Sequence, residues 1–183
     1  MNRWSWHKRL LAGESRWCLR VNGLCARSRS RRCFAVASRL GDGPLWYALM
    51  AALLVLDGRD GLLASAHLAV TGLVALGLYT ALKRWTRRPR PFASDARILA
   101  WVAPLDEFSF PSGHTLHAVA FSLVAMAHSP LLAWVLVPFT ATVAVSRVVL
   151  GLHYPSDVLA ATAIGLALAG GSLWLGQAVA ALA

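Results

Sequence analysis

GLLASAHLAVTGLVALGLYTALKR, residues 61–84, is the stretch that decides the fold class of this chain. Its first 22 residues carry no formal charge, and they are followed at once by the basic pair Lys83 and Arg84. A helix rises about 1.5 Å per residue, so this run would be about 33 Å long, whereas the hydrocarbon core of a bilayer is about 30 Å thick. The stretch therefore predicts a helix that crosses a membrane.

Further apolar segments lie on both sides of this stretch, and each is bounded by charged, glycine or proline residues. The predicted additional helices cover residues 45–56, 115–127, 131–146 and 158–183. The first of them is short, and the second and third form a hairpin around His128-Ser129-Pro130, because proline favours a break there. About five crossings follow, so the predicted fold class is all-α, a polytopic membrane helical bundle.

Residues 1–40 differ in composition from the rest of the chain. They hold ten Lys or Arg and a single acid, Glu14, and so carry +9 of the formal net charge of +10. We interpret this segment as a basic arm and residues 41–183 as the membrane domain. No nucleic-acid-binding module follows the arm, so anionic lipid headgroups are its predicted partner and nucleic acid is not.

The arm also contains all the cysteines of the chain, Cys18, Cys25 and Cys33. Their odd number and spacing favour neither a disulfide framework nor a zinc site. Spacings of seven and eight residues would bring them to one face of a helix, which fits an amphipathic helix at the membrane interface. Arginines recur throughout the arm, so we do not expect it to be a cleaved signal peptide.

Three blocks of polar residues stand at ends of the predicted helices. The blocks are residues 83–91, 111–114 and 146–157. If consecutive helices alternate in direction, all three blocks lie at the same membrane face, and the turns at residues 57 and 128 lie at the other. The blocks are therefore predicted to form one site.

In the third block, His153 and Asp157 are four residues apart and Pro155 suits the first turn of a helix. A carboxylate at that spacing can hold one ring nitrogen of the imidazole and leave the other free as a nucleophile or base. The alternative from the residues alone is a helix-capping aspartate beside an interfacial histidine.

In the second block, Pro111-Ser112-Gly113-His114 precedes an apolar run and resembles a helix start with Ser112 as its cap. The free N–H groups of the first turn attract an anion such as phosphate, and His114 would stand beside it as a proton donor. An ordinary capped turn explains the same residues.

The first block is cationic. Lys83 and Arg90 offer a point charge and a planar fork, both suited to phosphate oxygens. Basic residues also commonly flank membrane helices, and we assign Arg84, Arg87 and Arg88 to that role.

Together the blocks read K-x6-R-P, P-S-G-H and S-R-x5-H-x3-D, and these eleven specified positions are the signature of the type 2 phosphatidic acid phosphatase (PAP2) family. The chain resembles that family over residues 40–180, and the basic arm matches none of its motifs. The resemblance implies that Lys83, Arg90 and Arg147 bind phosphate with Ser112 and the Gly113 amide. It also implies that His153 attacks phosphorus, that Asp157 orients His153 and that His114 protonates the leaving oxygen. It implies no metal and no cofactor.

The resemblance further implies a lipid phosphate as substrate, in a multi-pass protein of the bacterial inner membrane. Undecaprenyl diphosphate is favoured by analogy with small bacterial members, and phosphatidic acid and phosphatidylglycerol phosphate are the alternatives. A vanadate-dependent haloperoxidase would share the pocket but is soluble. A membrane protein that binds anions without turnover is the rival of another class. His117 is either a pocket residue or a structural one, and Asp106 and Glu107 are expected at the pocket mouth.

The face that carries the site is left open by the sequence. A basic arm favours a cytoplasmic N-terminus, and two crossings would then return the first block to the cytoplasmic side. Analogy with polyprenyl diphosphate phosphatases favours the periplasmic side.

Overall fold

The computed structural model of the chain describes residues 3–181, and helices make up most of this part. The α-helices are α1 (Arg3–Asn22), α2 (Ser28–Gly41), α3 (Pro44–Leu56), α4 (Gly58–Thr86), α5 (Pro91–Ser94), α6 (Gly113–His128), α7 (Ala133–Val149) and α8 (Pro155–Ala180). Short 3-10 helices, Gly23–Ala26 and Pro130–Leu132, join α1 to α2 and α6 to α7. No strand occurs within residues 3–181, which confirms the all-α prediction.

Three helical segments in this range are long and apolar enough to cross a membrane, namely Gly58–Ser94, Pro130–Val149 and Pro155–Ala178. The pair α2 and α3 is a fourth candidate, with a bend of 51° between its halves. Helix α6 has 16 residues and is therefore only about 24 Å long, shorter than a typical hydrocarbon core. The count of five crossings therefore stays a prediction.

The outer surface of the bundle is apolar, as a membrane protein requires. Large side chains such as Leu73, Trp134 and Trp174 are 69%, 84% and 70% exposed. Contiguous apolar surface of this kind is unfavourable in water and is covered by hydrocarbon in a bilayer. The chain is a multi-pass membrane protein.

Helix α6 forms the centre of the bundle and packs against α4, α7 and α8. It is apolar on nearly every side, as expected for a buried helix, and Leu116, Ala120 and Val124 are completely buried. Close approach of α8 depends on Gly165, where a Cβ atom would lie 2.9 Å from the Leu116 carbonyl oxygen. At Gly170 of the same helix, by contrast, no neighbouring atom lies within 4 Å of the corresponding position.

Helices α1 and α2 pack into the rest of the protein. The side chain of Asn22 donates to the carbonyl oxygens of Leu99 at 2.9 Å and Val149 at 3.0 Å, and its Oδ1 accepts from the Leu99 amide at 2.9 Å. On α2, Ser38 is buried and contacts α7 through Arg147. Residues on both sides of the predicted division at residue 40 therefore share buried contacts.

The cysteines of the arm do not share a face. Cys18 and Cys25 are buried, whereas Cys33 is exposed. The 3-10 turn at Gly23–Ala26 interrupts the helix, so the spacing rule that predicted a common face does not carry across it.

Candidate active site

A cavity of about 760 Å³ opens where α4, α6 and α7 and the loops after α4 and α7 meet. It brings the three polar blocks together. Of the residues predicted for the site, those that line the cavity are Lys83, Arg90, Gly113, His114, Arg147 and His153. Ser112 and Asp157 are fully buried beside it. The three polar blocks therefore meet at one end of the bundle, as the sequence predicts.

His153 lies in the loop before α8 and is 1% exposed. Its Nδ1 is 2.6 Å from the carbonyl oxygen of Ser109, which can only accept, so Nδ1 carries the proton and Nε2 is free of it. Nε2 is 3.3 Å from Nη1 of Arg90, and His153 borders the cavity. Burial, followed by the charges of Arg147 and Arg90, lowers the pKa of His153 well below its ordinary value. The imidazole is thus neutral and able to act as a nucleophile.

The sequence predicts that Asp157 holds the imidazole of His153 directly, but the structure shows no direct hydrogen bond between them. Its Oδ2 is 3.7 Å from Nδ1 of His153 and instead accepts the Tyr154 amide at 2.8 Å. The spacing rule assumed one helix, but His153 precedes the start of α8 at Pro155, so the two side chains do not stack as helical neighbours. The Ser109 carbonyl fixes the tautomer of His153, and the Asp157 carboxylate lies 3.7 Å from the same ring nitrogen.

Two of the predicted phosphate-binding cations hold an acidic side chain of the protein itself. Lys83 Nζ is 2.5 Å from Oδ2 of Asp106, and Arg90 Nη2 is 2.8 Å from Oδ1. Burial raises the pKa of Asp106, but the bonds and charges of Lys83 and Arg90 outweigh it, so the pKa lies below its ordinary value. A carboxylate of the protein therefore pairs with two of the cations that are predicted to bind phosphate. The sequence placed Asp106 near the mouth of the pocket but gave no sign of this bridge.

Arg147 is the third cation and it reaches the cavity from α7. Its Nη1 donates to the hydroxyl of Ser38, while its Nε is buried and has no partner among the described residues. Buried donors are almost always satisfied, so an unpaired one beside a cavity is a position for an anion or water. Nearby, Nε2 of His114 is 3.4 Å from Oδ1 of Asp42. Ser38 and Asp42 were not predicted, since the sequence presents them only as a small residue of the arm and part of a breaker cluster.

Ser112 caps α6 as predicted, because its Oγ accepts from the Thr115 amide at 3.4 Å. The same oxygen lies 3.0 Å from the Thr115 hydroxyl, and the Ser112 amide donates to the Asp157 carbonyl at 3.3 Å. Its hydroxyl is thus engaged within the protein, and its contact with phosphate stays a prediction. The first-turn amides of α6 at Gly113 and His114 have no helical partner, as at any helix start.

Arg88 is a residue of the site that the sequence reasoning missed. It was assigned to the membrane flank, but its Nη1 is 2.7 Å from Oδ1 of Asp157 and its Nη2 is 2.6 Å from Oε2 of Glu14. The available signal was Glu14, the only acid in residues 1–40. Arg87 is exposed, as a flanking residue should be.

His117 belongs to both predicted alternatives. It lines the cavity, and its ring nitrogens lie 3.1 Å from the Gly113 carbonyl and 3.2 Å from the Gly72 carbonyl, which ties α6 to α4. Among the described residues, no cluster of three or more His, Cys, Asp or Glu is placed to hold a metal ion.

Beyond the polar groups the cavity continues between α3, α4 and α6 along apolar side chains. These are Trp46, Tyr47, Met50, Leu73, Leu76 and Phe121. One end of the cavity therefore suits an anion and the other suits a hydrocarbon chain, and the outward-facing side chains of α3 and α4 are exposed on the apolar surface.

The sequence model of the PAP2 superfamily matches residues 64–180. Phosphatidylglycerophosphatase B of Escherichia coli is 36% identical over 77 residues, which is 39% of this chain and 30% of that protein. Undecaprenyl-diphosphatase BcrC of Bacillus subtilis is 29% identical over 100 residues, 55% of this chain and 51% of that protein. Decaprenylphosphoryl-5-phosphoribose phosphatase of Mycobacterium tuberculosis is 37% identical over 108 residues, 58% of this chain and 56% of that protein. The chain thus spans between about a third and about half of the length of these relatives.

Two solved structures share the fold. A transmembrane PAP2-type phosphatidylglycerolphosphate phosphatase from Bacillus subtilis superposes with a TM-score of 0.75 at 23% identity, over 93% of this chain and 88% of that one. LpxE of Aquifex aeolicus superposes with a TM-score of 0.73 at 24% identity, over 86% of this chain and 93% of that one.

Proposed function

Because the chain belongs to the PAP2 superfamily, we propose that it is a membrane enzyme that hydrolyses a terminal phosphate of a lipid through a phosphohistidine intermediate. The observation that carries the proposal is the cavity itself. At one end the unprotonated Nε2 of His153 lies 3.3 Å from Arg90, and Lys83 and Arg147 line the same cavity. At the other end apolar side chains suit a lipid tail.

In the first step the lone pair on His153 Nε2 attacks phosphorus, a P–N bond forms and the bond from phosphorus to the lipid oxygen breaks. His114 gives a proton to that departing oxygen. Nδ1 remains bonded to the Ser109 carbonyl, and the Asp157 carboxylate at 3.7 Å stabilises the positive charge that develops on the ring. Lys83, Arg90 and Arg147 stabilise the charge on the phosphoryl oxygens.

In the second step water attacks phosphorus, His114 takes a proton from it and the P–N bond breaks, which releases inorganic phosphate and restores His153. Burial, followed by the charge of Arg147, lowers the pKa of His114 to about 2, so His114 is neutral before substrate binds. A phosphate dianion among the three cations opposes their charge and raises the pKa of His114. The proposal therefore requires His114 to gain its proton when the substrate binds.

Among lipids, we favour undecaprenyl diphosphate. Two relatives support a polyprenyl substrate by their names, an undecaprenyl-diphosphatase and a phosphatase of a decaprenylphosphoryl sugar. Phosphatidylglycerol phosphate is the second candidate, favoured by the name of the relative from Escherichia coli, and phosphatidic acid is the third. The proposal places the protein in a bacterial inner membrane, with the exposed arginines of residues 1–40 against anionic headgroups.

Phosphate release from purified protein tests the function. We expect turnover of undecaprenyl diphosphate at a higher kcat/KM than of phosphatidic acid or phosphatidylglycerol phosphate, with the rate unchanged in excess chelator. If no phosphate were released from any of these lipids, the proposed enzymatic activity would be wrong, and a membrane protein that binds anions without turnover would be the remaining interpretation. Loss of activity in chelator that returns with added metal would contradict the metal-free mechanism.

Replacement of Asp106 by asparagine should strengthen substrate binding. The substitution removes the carboxylate that competes with phosphate for Lys83 and Arg90. A hydrogen bond to a charged group contributes about 1.5–3 kcal/mol, so we expect KM to fall by about tenfold with little change in kcat. Steady-state kinetics would measure both constants, with Asp95→Asn, an acid of the same loop paired with Arg97, as the control. A higher KM would mean that Asp106 assists binding instead of competing with it.

A further inference from the structure

The N-terminal arm contacts the active site through Glu14 of α1, in addition to the contact of Ser38 with Arg147. Its Oε2 is 2.6 Å from Nη2 of Arg88, and its Oε1 accepts the amide of Ser156 at 2.9 Å. Both side chains of the ion pair are mostly shielded, with 19% and 18% of their surface exposed. Partial burial makes such a pair stronger than one in open solvent.

Arg88 carries this contact on to the catalytic groups. Its Nη1 donates to Oδ1 of Asp157 and to Oγ of Ser156, both at 2.7 Å, and its guanidinium lies 4.2 Å above the ring of Tyr154. The carboxylate of Asp157 is completely buried, and its other oxygen faces Nδ1 of His153 at 3.7 Å. Ion pairs therefore connect Glu14 of the arm through Arg88 to Asp157, whose carboxylate lies 3.7 Å from the imidazole of His153.

Glu14 also completes the start of α8. Ser156 is the second residue of that helix, and its amide is one of the first-turn donors that have no partner within a helix. A carboxylate is the favoured partner there, because the N-terminus of a helix carries partial positive charge. The same side chain thus fixes both the guanidinium beside Asp157 and the turn that follows His153.

We propose that Glu14 is a positioning residue, which orients Arg88 and the first turn of α8 so that Asp157 and His153 are held in place for catalysis. The effect on phosphate transfer rests on the proposed function, whereas the effect on the geometry of His153 does not. The arm is then part of the working enzyme and not only a membrane contact. The carboxylates of Glu14 and Asp157 share the guanidinium of Arg88. Without the Glu14 charge, Arg88 would pair with Asp157 alone and neutralise more of its charge, so less negative charge would face Nδ1 of His153.

The kinetic test is Glu14→Gln in the full-length protein, with Glu14→Asp as the conservative variant. We expect Glu14→Gln to lower kcat by about tenfold, with KM within twofold and an unchanged thermal unfolding midpoint, and Glu14→Asp to recover part of the loss. Asp60→Asn, an exposed acid at the opposite end of α4, is the control and should match the wild type. Wild-type kcat in Glu14→Gln, or a loss matched by a lower unfolding midpoint, would overturn the proposal.

A double variant tests whether Glu14 acts through Arg88. In an Arg88→Gln background, Glu14→Gln should cost little more, because residues of one network do not contribute additively. Losses that multiply would mean that Glu14 acts by another route.

A spectroscopic experiment tests the inference even if no lipid proves to be a substrate. The chain has six histidines, and ¹⁵N-histidine labelling with His153→Ala as the assignment variant identifies the ring nitrogens of His153. We expect Glu14→Gln to shift the His153 resonances and to leave those of His67 and His128 unchanged, since that pair lies together elsewhere, with 3.2 Å between their ring nitrogens. Unchanged His153 resonances would refute the positioning role whatever the activity of the protein.

Discussion

His153→Ala should lower kcat for phosphate release by about 10⁴-fold or more, the loss typical of removing a covalent nucleophile. The reason is that, in the described part of the chain, Nε2 of His153 is the unprotonated ring nitrogen placed against the cations of the cavity. Alanine leaves Lys83, Arg90 and Arg147 in place, so lipid binding should persist. The measurement is a single-turnover assay with an excess of enzyme over lipid.

Two controls define that result. His128 lies at the C-terminal end of α6, and His114 lies in the first turn of the same helix. We expect His128→Ala to retain wild-type turnover. Trapping with labelled substrate should give an acid-labile phosphoenzyme in the wild type and none in His153→Ala. A variant with more than a tenth of wild-type activity would rule out the phosphohistidine route.

Arg90→Lys should lower kcat/KM by about 10²- to 10³-fold although it keeps the positive charge. Arg90 donates at the same time to the Leu152 carbonyl at 2.9 Å and to the Asp106 carboxylate at 2.8 Å, with Nη1 still 3.3 Å from His153. A lysine ammonium cannot reproduce this planar arrangement. Loss of one or two charge-assisted hydrogen bonds costs about 1.5–3 kcal/mol each, and 1.4 kcal/mol corresponds to about tenfold in rate.

The same change at Arg97 provides the matched control, because that side chain is 74% exposed and pairs with Asp95 on the surface. We expect Arg97→Lys to behave as the wild type. Inhibition by orthovanadate, a mimic of five-coordinate phosphorus, should weaken in Arg90→Lys in parallel with kcat/KM. Full activity in Arg90→Lys would mean that charge alone suffices there.

The main features of the fold and site could be predicted because they rest on local rules. An uncharged run such as residues 61–82 can only be accommodated as a membrane helix, and polar blocks at helix ends meet when the helices alternate. The cap at Ser112 follows from the side chain and its neighbours alone. Each of these features depends on residues close together in the sequence.

The rest depends on contacts between distant segments, for which a single sequence holds no periodic signal. Glu14 and Arg88 are 74 positions apart, and Ser38 and Arg147 are 109 positions apart. The pairing of Asp106 with Lys83 and Arg90 likewise depends on how the loop before α6 folds back over the site. Even the prediction from the local spacing of His153 and Asp157, that the carboxylate holds the imidazole directly, was wrong, because α8 begins at Pro155 between them.

The carboxylate of Asp106 also bears on how the cycle ends. In the proposed cycle, inorganic phosphate left among three fixed cations would bind tightly and compete with the next lipid for them. An acidic side chain tethered nearby can return to Lys83 and Arg90 as the product departs, so the site regenerates its resting charge balance without waiting for a counterion from solution. Weaker binding of the substrate is then the counterpart of weaker inhibition by the product.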